Sequence, residues 1–444
     1  MFTRGFVFAW LGAALLPGCY ASSGDVDVDA GGDATGTDAR VDAGSQPRVS
    51  LQRSTPSDDS CRAWDVLVHP SPTVPAGTPD GVQPLWQHRD PLDGYVGDIG
   101  VALDGSIRVL GPRATTFLRI NRDGTEAWSR DVGAQAYVWS IAPDGSIFAV
   151  SSEDGDYGHR VVHLAPDGTI VGAYDFDASG PGIESISFGA GGRVYVSNGS
   201  LVALCRTDHV DWEMTASMAS GGVALMSAPV VDSVGAVLVS VTGTTRVARI
   251  SEEGILLEWI GDDRPVGTRP EAALGKVTSL FQTRAIVYSM VDGTWMDETT
   301  IAAPGEPPVN RLHADQFDGL GRIISSDGLR GGGWLWEQGD GSVVHTGPLC
   351  GFYNVLALAD GGVLCVDSQL AGNVLRRVSP EGRVVWEHLV PERASNLVLD
   401  VDGRLTFAAA TDGGLHSEVR SVQTNLRPAP GHWGYLEANR RSAR

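Results

Sequence analysis

The stretch from Phe117 to Trp128 reads FLRINRDGTEAW, and its pattern recurs along most of the chain. A run of mixed apolar and polar residues leads into an Asp-Gly pair, and a tryptophan follows the glycine by four positions. Glycine adopts positive φ freely and aspartate tolerates the left-handed region, so Asp-Gly between such runs indicates a hairpin turn. The stretch therefore predicts a strand, a tight turn and a second, antiparallel strand.

Turns of this kind, most of them centred on glycine, form two series along the chain. The first series is Asp104-Gly105, Asp144-Gly145, Gly191-Gly192, Val234-Gly235, Leu274-Gly275, Leu320-Gly321, Asp360-Gly361 and Asp402-Gly403. The second series is Asp80-Gly81, Asp123-Gly124, Asp167-Gly168, Asp208-His209, Glu253-Gly254, Asp292-Gly293, Asp340-Gly341 and Glu381-Gly382. Within each series the spacing stays between 39 and 48 residues. A fixed period of this length is typical of repeat proteins.

Each repeat unit contains two hairpins and therefore four short strands. The clearest strands are Ser106–Leu110, Ser146–Val150, Arg193–Val196 and Gly362–Val366. Four-stranded units at this period are typical of a β-propeller. We therefore predict an all-β, eight-bladed β-propeller, one blade for each pair of turns. The units between Arg269 and Gly347 are the least regular, which leaves seven blades as the alternative.

The two ends of the repeat are each incomplete. Asp80 and Trp86 fit the pattern of an outer strand, but the four prolines between Pro70 and Pro79 exclude strands just before them. The last unit has the opposite deficit and ends in a proline-rich tail. We expect the N-terminal strand Gln83–His88 to complete the C-terminal blade, because a closed ring has no exposed sheet edges.

An aromatic residue recurs after the turns of the second series. The residues are Trp86, Trp128, Tyr174, Trp212, Trp259, Trp295 and Trp386, and the unit before Trp386 has none. We predict that each packs between neighbouring blades as part of the core. An exposed surface that stacks against sugars is the alternative.

Residues 117–128 and their counterpart 375–386 (LRRVSPEGRVVW) resemble the pyrroloquinoline-quinone-type propeller repeat, in which a tryptophan follows a glycine by four residues. The resemblance covers roughly residues 80–425 and implies the propeller fold. The quinone-dependent dehydrogenases with this repeat often carry adjacent cysteines beside the cofactor. None of the five cysteines here neighbours another, so we predict no cofactor and no catalytic residue.

Residues 1–18 have the form of a lipoprotein signal peptide. A charged start precedes an apolar run of 12 residues, Gly5–Leu16, which is too short to span a bilayer. The motif Leu16–Cys19 (LPGC) resembles the lipobox of bacterial lipoproteins and makes Cys19 the lipid-attachment residue. A plain secretory signal cut nearby is the alternative. Tyr20 after the cysteine resembles lipoproteins sent on to the outer membrane, so we expect an exported protein anchored to the outer membrane or cell surface.

Residues 19–60 are predicted to be an acidic, flexible linker rich in Gly, Ala and Asp, because they cannot bury enough apolar surface to become ordered. The run Asp25–Asp29 suggests calcium binding at first sight. An EF-hand loop needs Gly and Glu where this chain has Ala30 and Gly36, so we interpret the run as part of a disordered tether. The propeller is assigned to residues 61–436 and a C-terminal tail to residues 437–444.

The formal net charge of −21 argues against binding to nucleic acid or to an anionic membrane surface. Contact with a membrane is expected only through the lipid anchor. His159 and His163 lie on one face of a strand but lack cysteine or carboxylate partners at a fixed spacing, which makes a poor zinc site. The acidic loop 153–156 beside them is interpreted as solvated, and no metal site is predicted.

Four cysteines remain after export, into a compartment that permits disulfides. A two-residue turn at Asp360 would pair Cys365 with Leu356 and leave Cys350 roughly 20 Å away, too far to form a disulfide. Cys61 lies just before the closing strand, next to the blade that carries Cys350. We therefore predict a Cys61–Cys350 disulfide and a reduced, buried Cys365.

Propellers bind ligands at the mouth of the central channel, near the ends of the innermost strands. The residues that the repeat places there are Asp98, Trp139, Glu184, Arg311, His313, Tyr353 and Asn396. Ordinary polar lining is the alternative interpretation of each, so no individual ligand-binding residue is predicted.

Together these features favour a lipid-anchored, non-catalytic binding scaffold, which we expect to be a monomer whose partner is an envelope protein or a small ligand. The combination of anchor and eight blades resembles the propeller lipoprotein of the outer-membrane β-barrel assembly machine. An envelope enzyme or carbohydrate-binding propeller with its site in the channel mouth is the alternative. An apolar surface patch would favour the scaffold, and a polar mouth with shifted pKa values would favour the alternative.

Overall fold

A computed structural model describes part of the chain. The described residues are 49–54, 61–65, 82–93, 96–152, 159–176, 183, 185–189, 191–218, 223–224, 226, 229–232, 235–241, 247–260, 270–273, 276–281, 284–291, 294–301, 316–317, 319–320, 322–327, 333–337, 343–345, 355–369, 372–390, 393–411 and 416–429. The predicted leader with Cys19, most of the predicted linker and the C-terminal tail lie outside these ranges. The chain divides into two units, Met1–Gln46 and Pro47–Arg444, and the described residues belong to the second. None of the described helices has the length and apolar character needed to cross a membrane.

The described part of the chain forms eight antiparallel sheets. Strands β1 (Val49–Arg53) and β2 (Gln83–Asp93) come first along the chain. Sheet 1 contains β3 (Asp98–Val101), β4 (Ile107–Leu110), β5 (Thr116–Ile120) and β6 (Glu126–Asp131), with a 3-10 helix at Pro112–Ala114. Sheet 2 contains β7 (Gln135–Ile141), β8 (Ile147–Ser152), β9 (Arg160–Leu164) and β10 (Ile170–Asp175). Sheet 3 contains β11 (Ile186–Phe188), β12 (Arg193–Ser197), β13 (Leu201–Cys205), β14 (His209–Met218), β15 (Val223–Ala224) and also β1.

The remaining sheets repeat the four-stranded arrangement. Sheet 4 contains β16 (Val230–Val231), β17 (Val237–Ser240), β18 (Val247–Ile250) and β19 (Leu256–Ile260). Sheet 5 contains β20 (Pro270–Ala273), β21 (Lys276–Phe281), β22 (Arg284–Val291) and β23 (Thr294–Ile301). Sheet 6 contains β24 (Gln316–Phe317), β25 (Ile323–Asp327), β26 (Gly333–Glu337) and β27 (Val343–His345). Sheet 7 contains β28 (Val355–Ala357), β29 (Val363–Gln369), β30 (Gly372–Val378) and β31 (Val384–Val390), and sheet 8 contains β32 (Arg393–Leu399), β33 (Arg404–Thr411), β34 (His416–Gln423) and β2.

The Asp-Gly turns are three-residue loops, and this changes one predicted register. At Asp360 the backbone N–H of Gly361 bonds to the Leu358 carbonyl, and Gly361 takes a φ of +82°. This loop has one residue more than the two-residue turn that we expected, so Cys365 pairs with Val355 and the predicted pairing with Leu356 is wrong. A type I turn followed by a left-handed glycine accounts for the extra residue.

The predicted packing of the repeated tryptophans between neighbouring units is confirmed for Trp86, Trp128 and Trp212. Trp128 of sheet 1 donates its Nε1–H to the Pro166 carbonyl of sheet 2 at 2.9 Å. Its ring lies against Gly168, where an added Cβ would approach the ring to 2.7 Å. Trp212 of sheet 3 makes the same two contacts with the turn at Gly254 in sheet 4. We call this paired contact the Trp–Gly latch.

Strand β2 pairs along β34 as the fourth strand of sheet 8, more than 300 residues away in sequence. Trp86 of β2 donates to the Arg122 carbonyl of sheet 1 at 3.0 Å and lies against Gly124. The Arg404 guanidinium of sheet 8 donates to the same carbonyl at 2.6 Å. Sheet 8 therefore carries a Trp–Gly latch to sheet 1 of the same form as the latch from sheet 1 to sheet 2.

The buried side chains lie between consecutive sheets. Five clusters of buried apolar residues each join one pair: sheets 7 and 8, 8 and 1, 1 and 2, 2 and 3, and 3 and 4. Sheets 8, 1, 2 and 3 each contact such a cluster on both faces, so their strands are apolar on both sides, as the fully buried strand β4 and the nearly fully buried β8 illustrate. Face-to-face packing of successive sheets thus forms the core.

Candidate functional site

The chain ahead of the first sheet docks on sheet 3. Strand β1 pairs antiparallel with β14, with Leu51 opposite Ala216 and Arg53 opposite Met214. Beyond the strand, the backbone N–H of Ser54 donates to the Glu213 carbonyl, and the Glu213 N–H donates to the Ser54 Oγ, each at 2.7 Å. β1 therefore covers the outer edge of sheet 3 as an added strand.

A second anchor follows at residues 61–65. Cys61 forms a disulfide with Cys205, at the end of β13, with a Cα–Cα distance of 5.0 Å. Trp64 is buried, and its Nε1–H donates to the Gly189 carbonyl at 2.7 Å. The chain passes so close to Gly192 that an added Cβ there would lie 1.8 Å from the Arg62 carbonyl oxygen.

The predicted Cys61–Cys350 disulfide is therefore wrong. We placed Cys61 near sheet 8 because β2 begins about twenty residues later. The chain instead crosses the end of sheet 3 first, where Cys205 is the cysteine within bonding distance. The prediction of a reduced Cys365 is also wrong: this residue is buried as expected but disulfide-bonded. Cys350 lies outside the described residues.

The docked segment lies where the Trp–Gly latch is missing. Sheet 2 has Tyr174 where sheets 1 and 3 have a tryptophan, and the facing turn of sheet 3 has Asp208-His209 without a glycine. Here the Trp64 ring packs edge-on against Phe148 of sheet 2 at 5.9 Å and against Phe188 of sheet 3 at 5.7 Å. The N-terminal segment thus joins sheets 2 and 3 in place of the latch.

Two clefts open at the outer strands. The first, of about 330 Å³, lies between sheet 3 with its added strand β1 and the outer strand β19 of sheet 4. Its lining residues are Leu51, Arg53, Met214, Gly254, Ile255, Leu256 and Trp259. We call it the sheet 3–4 cleft. Leu51 packs against the apolar cluster between these two sheets.

The second cleft, of about 320 Å³, lies between the outer strand β31 of sheet 7 and the outer strand β2 of sheet 8. Its lining residues are Pro84, Leu85, Trp86, Gln87, His388, Leu389, Val390, Phe407, Arg420, Ser421 and Val422. We call it the sheet 7–8 cleft. Leu85 and Leu389 are 43% and 62% exposed on its two walls, so the rim is apolar and open to solvent.

The residues predicted at the channel mouth do not form one described cluster. Trp139 is fully buried and packs against Phe117 between sheets 1 and 2, so its place at a mouth is wrong. Asp98 is buried at the start of β3, where its carboxylate accepts the Ile99 N–H at 2.8 Å. Asn396 lies on β32, the first strand of sheet 8, and takes a φ of +54°. Its side-chain amide donates to the Gly97 carbonyl at 3.3 Å. Glu184, Arg311, His313 and Tyr353 lie outside the described residues.

The largest pKa shifts belong to side chains inside the packed sheets. Burial lowers the pKa of His163 to about 4, and neither ring nitrogen has a hydrogen-bond partner among the described residues. Its ring stacks on Phe148 at 4.2 Å. Burial also lowers the pKa of Arg108 to about 9, although its guanidinium donates to the Gly145 carbonyl of sheet 2 at 3.0 Å. Burial raises the pKa of Asp400. These groups lie within the packed core and do not line the two clefts.

Among the described residues, one group offers three metal-ligand atoms within 4.8 Å of one another: Cys61, Cys205 and Asp211. Both sulfurs are in the disulfide, and the Asp211 carboxylate accepts the Arg193 Nε–H at 2.6 Å. The group therefore has no thiolate to give a metal. Only His163 of the two histidines lies on β9, since His159 precedes this strand, and His163 is enclosed by the apolar core.

Sequence reasoning missed both N-terminal anchors. The alternation of Val49, Ser50 and Leu51 has the period of a strand, but it lies inside a stretch whose composition indicated a linker. Trp64 had a signal only as a lone aromatic residue outside the repeat. Neither signal indicates the sheet on which the segment docks.

No protein-family model matches the chain, and no curated protein matches it in sequence. Among solved structures, BamB from Moraxella catarrhalis is 12% identical with a TM-score of 0.54, and the match covers 77% of this chain and 100% of BamB. Dihydro-heme d1 dehydrogenase NirN is 13% identical with a TM-score of 0.50, covering 80% of this chain and 77% of NirN. The β-propeller domain of Cps50 (Swd1) from Myceliophteria thermophila is 11% identical with a TM-score of 0.44, covering 78% of this chain and 99% of that domain.

At this level of identity the likeness concerns the fold and not the activity. BamB and NirN are β-propellers, and they match over most of their own length. The four-stranded antiparallel sheets, packed face to face in sequence order, agree with that architecture. The chain is therefore an all-β protein with a β-propeller fold.

Proposed function

We propose that this protein is a lipid-anchored β-propeller of the cell envelope that binds a partner protein as a non-catalytic scaffold. The observation that carries the proposal is the character of the two open clefts. Both are lined mainly by apolar side chains on the outer strands, and the exposed leucines of the sheet 7–8 cleft stand at its rim. Exposed apolar surface of this kind is typical of protein–protein contact.

We propose further that the propeller has eight blades and that β2 closes the ring. The eight sheets supply the blades, and β2 supplies the fourth strand of sheet 8. Trp86 on β2 contacts sheet 1 through the same latch that Trp128 makes with sheet 2. Equal contacts at the closing junction and at an internal junction support closure.

The envelope location is supported by the cysteines. Cys61–Cys205 is a disulfide, and Cys365 belongs to another. Disulfides persist in oxidising compartments and are rare in the cytosol. They agree with the lipoprotein leader predicted at residues 1–18 and with lipid attachment at Cys19, which would hold the propeller at a membrane surface.

A crosslinking pulldown from envelope fractions tests the proposal, with wild-type and Cys19→Ala protein compared. We expect the wild-type chain to fractionate with membranes, to carry a lipidated N-terminal peptide by mass, and to recover a defined protein partner. The Cys19→Ala protein should lack the lipid mass and should recover at least tenfold less of the partner protein. Equal membrane recovery of both proteins would contradict the anchor. Recovery of a tightly held small molecule and no protein partner would contradict the scaffold.

A further inference from the structure

We infer that the sheet 7–8 cleft is a docking groove for an extended segment of a partner protein, which pairs with β31 as a fifth strand. This inference rests on the scaffold function proposed above and names the surface that performs it. Its basis is a comparison between two equivalent positions of the same molecule, one of which is already occupied by β1.

The two clefts occupy equivalent places in the repeat. Each lies between the outer strand of one sheet and the outer strand of the next. Met214, on the near wall of the sheet 3–4 cleft, follows the latch residue Trp212 by two positions. His388, on the near wall of the sheet 7–8 cleft, follows Trp386 by two positions. On the far walls stand the tryptophans of the next sheets, Trp259 and Trp86 respectively.

Strand β1 demonstrates how such a position binds an extended segment. It pairs with five consecutive residues of β14 through the backbone, which is the mode of strand addition used by many peptide-binding domains. Its alternate residue Leu51 faces the cleft and packs against the core between sheets 3 and 4. The polar residue Ser50 instead bonds to the Ser217 hydroxyl at 2.8 Å.

Strand β1 pairs with β14 from Met214 onward, two residues after Trp212, and the corresponding part of sheet 7 is the end of β31 from His388 to Val390. Strand β31 pairs with β30 on one side, and the described residues place no strand on its other side. Val384, Val385 and Leu389 on this strand are 40%, 44% and 62% exposed. A long apolar edge without proline or lysine is a template for pairing with another chain. The strand therefore has both the free backbone and the apolar side chains that strand addition requires.

The groove favours a partner segment in which apolar and polar residues alternate. Apolar residues facing inward would meet Phe407 and Val422 on the sheet 8 wall of the cleft. The one arginine in the lining, Arg420, is paired with the Glu418 carboxylate at 3.0 Å. The lining therefore selects the alternation of the partner segment and not its charge.

Site-specific photocrosslinking in the anchored, full-length protein tests the inference. A photoreactive side chain is placed at Leu389 and at Leu85, and a matched control is placed at Val171 on β10, the exposed outer strand of sheet 2. We expect crosslinks from the first two positions, and not from the third, to one short segment of another protein. Amides of β31 should then exchange with deuterium at least tenfold more slowly in the isolated complex than in the free protein.

Blocking variants provide the second arm. The double variant Leu85→Lys with Leu389→Lys places two charges on exposed walls, and Val171→Lys is the control; both variants should keep the melting temperature of the wild type. Of these two variants, the double variant should lose at least tenfold of its partner recovery and the control should lose none. Crosslinks to a second copy or to residues 20–48 of the same chain would overturn the choice of partner. Full partner recovery by the double variant would contradict the docking groove and leave the scaffold function intact. Failure of the wild type to recover any partner would contradict the scaffold function itself.

Discussion

Gly168 combines two requirements at one residue. Its φ of +84° is unfavourable for any residue with a Cβ, and an added Cβ would approach the Trp128 ring to 2.7 Å. We expect Gly168→Ala to lower the free energy of unfolding by about 2–4 kcal/mol, through positive φ and overpacking together. Urea unfolding followed by tryptophan fluorescence measures the loss.

Gly133 is the matched control for this prediction. It has a φ of +76°, but an added Cβ would meet nothing within 4 Å. Gly133→Ala should therefore cost about 1 kcal/mol, the effect of positive φ alone. Equal losses in the two variants would mean that the Trp–Gly latch adds nothing to stability.

His163 predicts a dependence of stability on pH. Burial lowers its pKa from 6.5 in the unfolded chain to about 4 in the folded protein; the nearby carboxylates of Asp144 and Asp208 oppose the shift, and Arg206 adds to it. Between pH 4 and pH 6.5 the unfolded chain binds a proton at His163 that the folded protein does not bind. The contribution of His163 to the free energy of unfolding is therefore complete above pH 6.5 and is lost as the pH falls towards 4. The loss is roughly 3 kcal/mol.

His163→Phe removes this titration while keeping an aromatic ring against Phe148. The difference in unfolding free energy between pH 7 and pH 4 should be smaller in the variant than in the wild type by that amount. Other acid-sensitive groups affect both proteins alike. An identical pH profile for the two proteins would show that His163 is protonated equally in the folded and unfolded states.

Among individual residues, the latch contacts were predictable and the buried cluster at sheets 2 and 3 was not. Trp128 and Gly168 stand at fixed offsets in a repeated pattern, and repetition indicates a shared structural role. Trp64, Phe148, Phe188 and His163 come from three separate parts of the chain, and no local pattern relates them. Trp139 was misplaced because alternation along β7 does not distinguish a channel-facing residue from one between two sheets.

At the scale of elements, the Cys61–Cys205 disulfide is expected to be a major source of stability. It closes a loop with a sequence separation of 144 residues, for which the chain-entropy model gives about 5 kcal/mol. The double variant Cys61→Ala with Cys205→Ala should lose about 3–5 kcal/mol of unfolding free energy. Peptide mass mapping without reductant should find these two cysteines in one crosslinked peptide. Finding both thiols free would contradict the pairing.

Strand pairing was predictable where turn chemistry links the strands, and elsewhere only where the repeat left a strand missing. The Asp-Gly turns fix each hairpin locally, although their third loop residue shifted the register at Cys365. The distant pairing of β2 with sheet 8 had a signal because each end of the repeat lacked what the other supplied. Strand β1 had no such deficit to fill, because sheet 3 already has five other strands.

At the scale of the whole molecule, ring closure is tested by comparing two tryptophans. Trp86 on β2 and Trp128 on β6 make the same hydrogen bond and the same contact with glycine. In a closed ring, Trp86→Ala and Trp128→Ala should each cost about 3 kcal/mol, within about 1 kcal/mol of each other. Thermal and urea unfolding measure both. A near-silent Trp86→Ala beside a costly Trp128→Ala would mean that the junction of sheets 8 and 1 is open.

The attachment of the N-terminal segment to sheet 3 decides where a mechanical load enters the molecule. A pull on the chain ahead of Val49 reaches β1 first and then the covalent bond between Cys61 and Cys205. The strand that completes sheet 8 begins only at Gln83, beyond both attachments. Tension on the leading end is therefore carried by sheet 3 and a covalent crosslink, and β2 is spared. Force applied at that end therefore loads sheet 3 and the disulfide before it reaches the pairing of β2 with β34.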